Sequence, residues 1–136
     1  MLTKDAYNSK LTIQQSIAKL TGLNPDTAKF EVLADSIHYT EGAFDLDYTW
    51  HVHIRFQDQY FDKIKRDIRN TPVFDSVTND YDKNWSLVDT SKVKGLWHSD
   101  SASFMFTQKP KKFNPERIYL WVDTPTKTLT LQLVHI

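Results

Sequence analysis

Hydrophobic positions along this chain change their period three times, and each change marks a new kind of element. Leu11, Ile13, Ile17 and Leu20 recur at near-helical spacing, with Thr12 and Gln15 placed as a capping box and Gly22 as a stop. The pattern predicts a helix over residues 11–22. Asn24-Pro25-Asp26 then reads as a turn. From Lys29 to Phe56 the period is two, which predicts a long antiparallel hairpin reversing at Glu41-Gly42. A reversal centred there sets Tyr39 against Phe44, Ile37 against Leu46, Asp35 against Tyr48 and Leu33 against Trp50 on an apolar, core-facing side. His38 with Asp45, Ser36 with Asp47 and Val32 with His51 take the other side.

Helical spacing returns at Tyr60, Phe61, Ile64 and Ile68, predicting a second amphipathic helix ended by Asn70-Thr71-Pro72. After a polar loop over 75–84, residues 93–107 predict another hairpin, turning at Ser99-Asp100 with Gly95 opposite Phe104 and Val93 opposite Phe106. A basic connector covers 108–117. The last hairpin turns at Pro125-Thr126 and stacks Ile118, Leu120 and Val122 against Leu133, Leu131 and Leu129.

The elements define an α+β chain: an N-terminal helix, a β-hairpin, a second helix and four further antiparallel strands. One twisted sheet curled over the helices, a roll, accommodates that order. Rolls of the cystatin-like and nuclear-transport-factor-like kind share the plan, a likeness of architecture alone, since no motif ties the chain to either. With 136 residues and neither repeats nor low-complexity segments, a single domain over 1–136 is expected.

Composition removes several functions. Seventeen basic residues balance seventeen acidic ones, so no net field draws the chain to nucleic acid or anionic lipid. Without cysteine there are no disulfides, thiolate nucleophiles or cysteine-ligated metals. Glycine occurs only at positions 22, 42 and 95, too sparsely for a phosphate cradle, a dinucleotide fingerprint or a nucleophile elbow. No cofactor is expected. Residues 1–15 lack the apolar core of a signal peptide, and no stretch approaches the roughly 20 apolar residues of a membrane span. As written the chain reads as cytoplasmic, or as a mature exported domain without its leader.

Candidate chemistry is correspondingly thin. His51 and His53 project to one side of a strand, close enough for both imidazoles to reach one ion, but Val32 and Phe30 are expected opposite them and cannot coordinate. Tight metal binding is therefore not expected. Asp80, Asp82 and Asn84 match the first three ligand spacings of a calcium loop, yet Trp85 and Ser91 stand where glycine and glutamate are needed. Asn84-Trp85-Ser86 forms a glycosylation sequon. His98, Ser99 and Asp100 are triad residue types placed too closely for triad geometry and read as turn chemistry. The basic runs 63–66 and 109–112 read as solvated charge.

Two features remain. Tyr119 and Trp121, flanked across the last hairpin by Gln132 and Thr130, are either the centre of a binding surface or a second buried layer. Asp35 and Tyr48, on the apolar side of the first hairpin, are candidates to line a pocket between sheet and helix. The leading expectation is a non-enzymatic bacterial protein that binds another protein through its sheet, for example a toxin-neutralising immunity protein. The alternative is a small-molecule-binding or enzymatic roll. Asp35 separates the two, because a buried acid must be paired, neutralised or functional.

Overall fold

The computed structural model describes residues 2–41, 46–71, 74–75, 91–100, 102–110 and 115–135, with backbone alone at 2–8, 40–41, 46, 75 and 100. Helix α1 spans Leu2–Thr21, so it begins well before the predicted start, and Thr12 and Gln15 are exposed mid-helix residues, not a capping box. Its end is the predicted one. Gly22 takes φ 79°, the left-handed conformation that glycine adopts without steric penalty, and its N–H donates to Ala18 O at 2.9 Å. The Thr21 hydroxyl donates to Ile17 O at 2.7 Å and accepts the Leu23 N–H at 3.1 Å. Asp26 then starts a 3-10 turn, Thr27–Lys29, by accepting the Ala28 N–H at 2.9 Å.

The remaining elements are β1 (Phe30–Glu41), β2 (Leu46–Phe56), α2 (Asp58–Arg69), β3 (Phe74–Asp75), β4 (Gly95–Asp100), β5 (Ser103–Gln108), β6 (Glu116–Asp123) and β7 (Thr128–His135). Among the described residues the strands form one open sheet in the order β1-β2-β7-β6-β5-β4-β3. Every neighbouring pair is antiparallel except β3, a two-residue strand running parallel to β4 that the sequence pattern did not predict. The α+β order of helix, hairpin, helix and four further antiparallel strands is otherwise the expected one.

One face of the sheet carries the core. Trp50, Val52 and Ile54 of β2, Leu129, Leu131 and Leu133 of β7, and Ile118, Leu120 and Val122 of β6 are all buried in register with one another. Phe104, Phe106 and Trp97 continue the same rows across β5 and β4. Ile13, Ile17 and Leu20 of α1 and Phe61, Ile64 and Ile68 of α2 join them in one apolar cluster. Each such side chain contributes about 1.5–3 kcal/mol by leaving water. Polar ties fix the helices to this face: Trp97 Nε1–H donates to Thr21 O at 3.2 Å, Lys94 N–H to Leu20 O at 2.8 Å, and Asp26 N–H to the Tyr60 hydroxyl at 2.8 Å.

Two hairpin registers differ from expectation. In the first, Tyr39 faces Tyr48, Ile37 faces Trp50 and Asp35 faces Val52, while the pairing continues to Glu41 with Leu46. Glu41 is therefore a paired strand residue and not part of the turn; Gly42, Phe44 and Asp45 lie outside the described residues. A bulge between Val32 and Ala34 moves Leu33 out of register, and beyond it Val32 faces Ile54 and Phe30 faces Phe56. In the second, Gly95 faces Gln108, Trp97 faces Phe106 and Ser99 faces Phe104, and His98, Ser99 and Asp100 belong to β4 itself. A Cβ at Gly95 would stand 2.1 Å from Thr107 O, so this close strand approach requires glycine. The final hairpin pairs as predicted, Ile118 with Leu133, Leu120 with Leu131 and Val122 with Leu129.

The apolar side predicted for the first hairpin is only partly buried. Trp50 is buried and Tyr48 packs at the margin of the core, but Leu33, Ile37 and Tyr39 are exposed. The reason is position: β1 is an edge strand, with a neighbouring strand on one side only among the described residues.

Candidate functional site

Strand alternation puts a second set of side chains on the face opposite the helices, and the registers align them in rows. Ala34, His53, Thr130, Trp121, Met105 and His98 form one row across six strands. Ser36, His51, Gln132 and Tyr119 form the next. No described helix covers this face. Tyr119 is 48% exposed, Trp121 39% and Met105 38%, and they are neighbours within these two rows. Thr130, by contrast, is buried, and Gln132 is half-buried.

The four predicted residues Tyr119, Trp121, Thr130 and Gln132 are thus brought together, and among the described residues of this face Tyr119, Trp121 and Met105 stay partly exposed while Leu96, Thr128 and Thr130 are buried. Met105 was missed. The alternation Phe104-Met105-Phe106 carries the signal, since both phenylalanines are buried and the residue between them must face outward. The polar frame around the rings is preorganised: His53 Nδ1 and the Thr130 hydroxyl share a hydrogen bond of 2.8 Å, and His98 Nε2 and the Thr107 hydroxyl share one of 2.7 Å. Of the five histidines, His38, His51, His53 and His98 lie on this face, and only His135 is on the other.

His51 and His53 do share a side of β2, as predicted, but Ser36 and Ala34 stand opposite them in place of Val32 and Phe30. Among the described residues, no group of three or more His, Asp or Glu is arranged to hold a metal ion. The calcium-loop candidates Asp80, Asp82 and Asn84, and the sequon at 84–86, lie outside the described residues. In the basic run 63–66, Ile64 is buried while Lys63 and Lys65 pair with Asp67 and Asp62. The hydrogen bond and the charge of Asp67, in that order, raise the Lys63 pKa.

On the helix-bearing face, Asp35 is exposed. Its carboxylate accepts the Trp50 Nε1–H at 2.6 Å and the Ser9 hydroxyl, tying α1 to the first hairpin. Tyr48 faces Tyr39 and not Asp35, and it stacks on His135 with ring centroids 5.0 Å apart. A separate cleft of about 740 Å³ opens where β1 begins and β2 ends, lined in part by Lys10, Phe30, Arg55, Gln57 and Lys127. Two of its cations are paired: Arg55 with Glu31 and Lys127 with Asp58. Neither Asp35 nor Tyr48 lines it.

No described helix is long and apolar enough to cross a membrane. Compared with protein-family models, with curated proteins and with solved structures, the chain matches none.

Proposed function

We propose that this is a non-enzymatic binding protein that holds another protein against the open face of its sheet, with Tyr119 and Trp121 at the centre of the contact. One observation carries the reading: two large aromatic side chains and a methionine stand partly exposed, side by side, on a face that no described helix covers. Exposed clusters of this kind mark interaction sites, and aromatic rings give large contact area for little lost side-chain freedom. Thr130, Gln132 and His53 supply the polar surround that lets such a patch be soluble when free and hydrogen-bonded when covered. The balanced net charge favours a protein partner over nucleic acid.

In its narrowest form the partner is a toxin and the protein is bacterial, an immunity protein that occludes its target. The test is titration of the wild-type chain and of Trp121→Ala against the product of the adjacent gene. Loss of about 2 kcal/mol or more of binding by a Trp121→Ala chain that is still folded at the temperature of the titration supports the face. Undiminished binding by a Tyr119→Ala, Trp121→Ala double variant rules it out.

The cleft beside Lys10 supports a second reading, a small-molecule carrier, because it opens between α1 and the sheet. It ranks below the first, since its Arg55 and Lys127 already have carboxylate partners. Retained partner binding in Arg55→Ala and Lys127→Ala separates the two.

A further inference from the structure

The edge of the sheet offers a surface distinct from its open face. Strand β1 is 12 residues long, and among the described residues its outer side pairs with no other strand. An edge presents unpaired N–H and C=O groups to any extended chain, and proteins blunt such edges with bulges, inward charges, lysine or proline. Here the blunting is confined to the first half, where the bulge at Leu33 and the core-side Asp35 lie. From Ser36 to Tyr39 the strand is regular, free of lysine and proline, and carries Ile37 at 48% and Tyr39 at 63% exposure.

We propose that this half of β1 pairs antiparallel with the β1 of a second copy of the chain, about a two-fold axis at Ile37, extending one sheet through both copies. Such an axis stands perpendicular to the sheet, so each residue must face a residue on the same side of it. Only certain centres are chemically acceptable. Centring on Ser36 sets the Asp35 carboxylate against Ile37; centring on His38 sets Asp35 opposite Glu41, two like charges. Centring on Ile37 sets Ile37 against itself, Asp35 against the Tyr39 phenol, and Ser36 against His38. Between Asp35 and Tyr39 every pair is then apolar with apolar or donor with acceptor, and the bulge at Leu33 ends the regular pairing before Glu41 meets it. The helices of both copies fall on one side, and the open faces carrying Trp121 become continuous on the other.

Sedimentation velocity across about a hundredfold range of concentration reads the equilibrium directly. The wild-type chain is expected to pass from monomer to dimer, and Ile37→Lys, which opposes two ammonium groups at the axis, to remain a monomer throughout. Since the chain has no cysteine, Ile37→Cys adds a second readout: facing Cβ atoms lie about 5 Å apart in such a pair, so mild oxidation should link the copies. Lys63→Cys, on α2, should stay unlinked. A wild-type chain that is monomeric at all concentrations overturns the proposal. So does a dimer that survives Ile37→Lys, that Ile37→Cys fails to cross-link, or that Trp121→Ala dissociates while Ile37→Lys does not.

Discussion

The indole of Trp50 donates its N–H to the Asp35 carboxylate at 2.6 Å, joining β2 to the edge strand β1 on the side where α1 packs. The ring itself is buried, so its one polar atom depends on this acceptor. Asp35 is thereby a structural acid at a place where the sequence pattern set an unexplained charge on an apolar face.

Removing that acceptor should therefore destabilise the fold without touching the open face. Asp35→Ala is expected to cost about 1–2 kcal/mol in urea denaturation, through the indole N–H left unpaired. Asp35→Asn, which keeps an acceptor oxygen, should cost less than half of that. Equal losses for the two variants would show that the charge, not the hydrogen bond, matters.

Trp97 and Trp121 should respond to truncation to different degrees. Trp97 is fully buried and tied to Thr21 O, so Trp97→Ala is expected to cost about 3–5 kcal/mol of stability. Trp121 is 39% exposed, and its loss should lower stability by about 2–3 kcal/mol, in proportion to the smaller area it buries. Thermal melts of the two variants compare the faces directly. A Trp121→Ala protein as unstable as Trp97→Ala would remove the basis for a binding surface.

Acid should weaken the β6–β7 turn through Asp123. The Thr126 hydroxyl above all holds this carboxyl below its ordinary value of 3.8, opposed next by desolvation and aided after that by the Thr126 N–H and the Ser103 hydroxyl. A carboxyl with a lowered folded-state pKa binds fewer protons folded than unfolded, so its contribution is complete above the ordinary value and disappears as pH falls through the folded one. The melting-temperature gap between wild type and Asp123→Asn should accordingly be constant near neutrality and shrink at pH values below 3.8. A gap that widens in acid would reverse the sign and exclude this mechanism.

The final hairpin shows how far local chemistry reaches. Its turn contains Pro125, and Asp123 accepts the Thr126 N–H at 3.2 Å, so the residues that set the reversal are adjacent in sequence. The registers that follow place Tyr119, Trp121, Thr130 and Gln132 together, and the candidate quartet was legible for that reason. Their junction with His53 on one side and Met105 on the other depends on strand pairs formed between distant segments, which periodicity does not encode.

Sequence by itself determined the α+β order, the second helix, the last register and which residues share a face in each hairpin as far as the bulge at Leu33, beyond which Val32 and Phe30 lie on the core side and not on the histidine side. A period of two survives any shift of pairing by an even number of residues, and so His38, His51 and His53 kept a common side although their partners changed. Tertiary structure decided the rest. It chose among those equivalent registers, since the first two hairpins carry less turn chemistry to pin them, and it set β1 at the edge and β7 beside β2. It also decided which alternating faces are covered. Helices α1 and α2 seal one side of the central strands, and what they do not reach, Ile37 and Tyr39 at the edge and Trp121 on the far side, stays in water despite an apolar pattern much like that of the core.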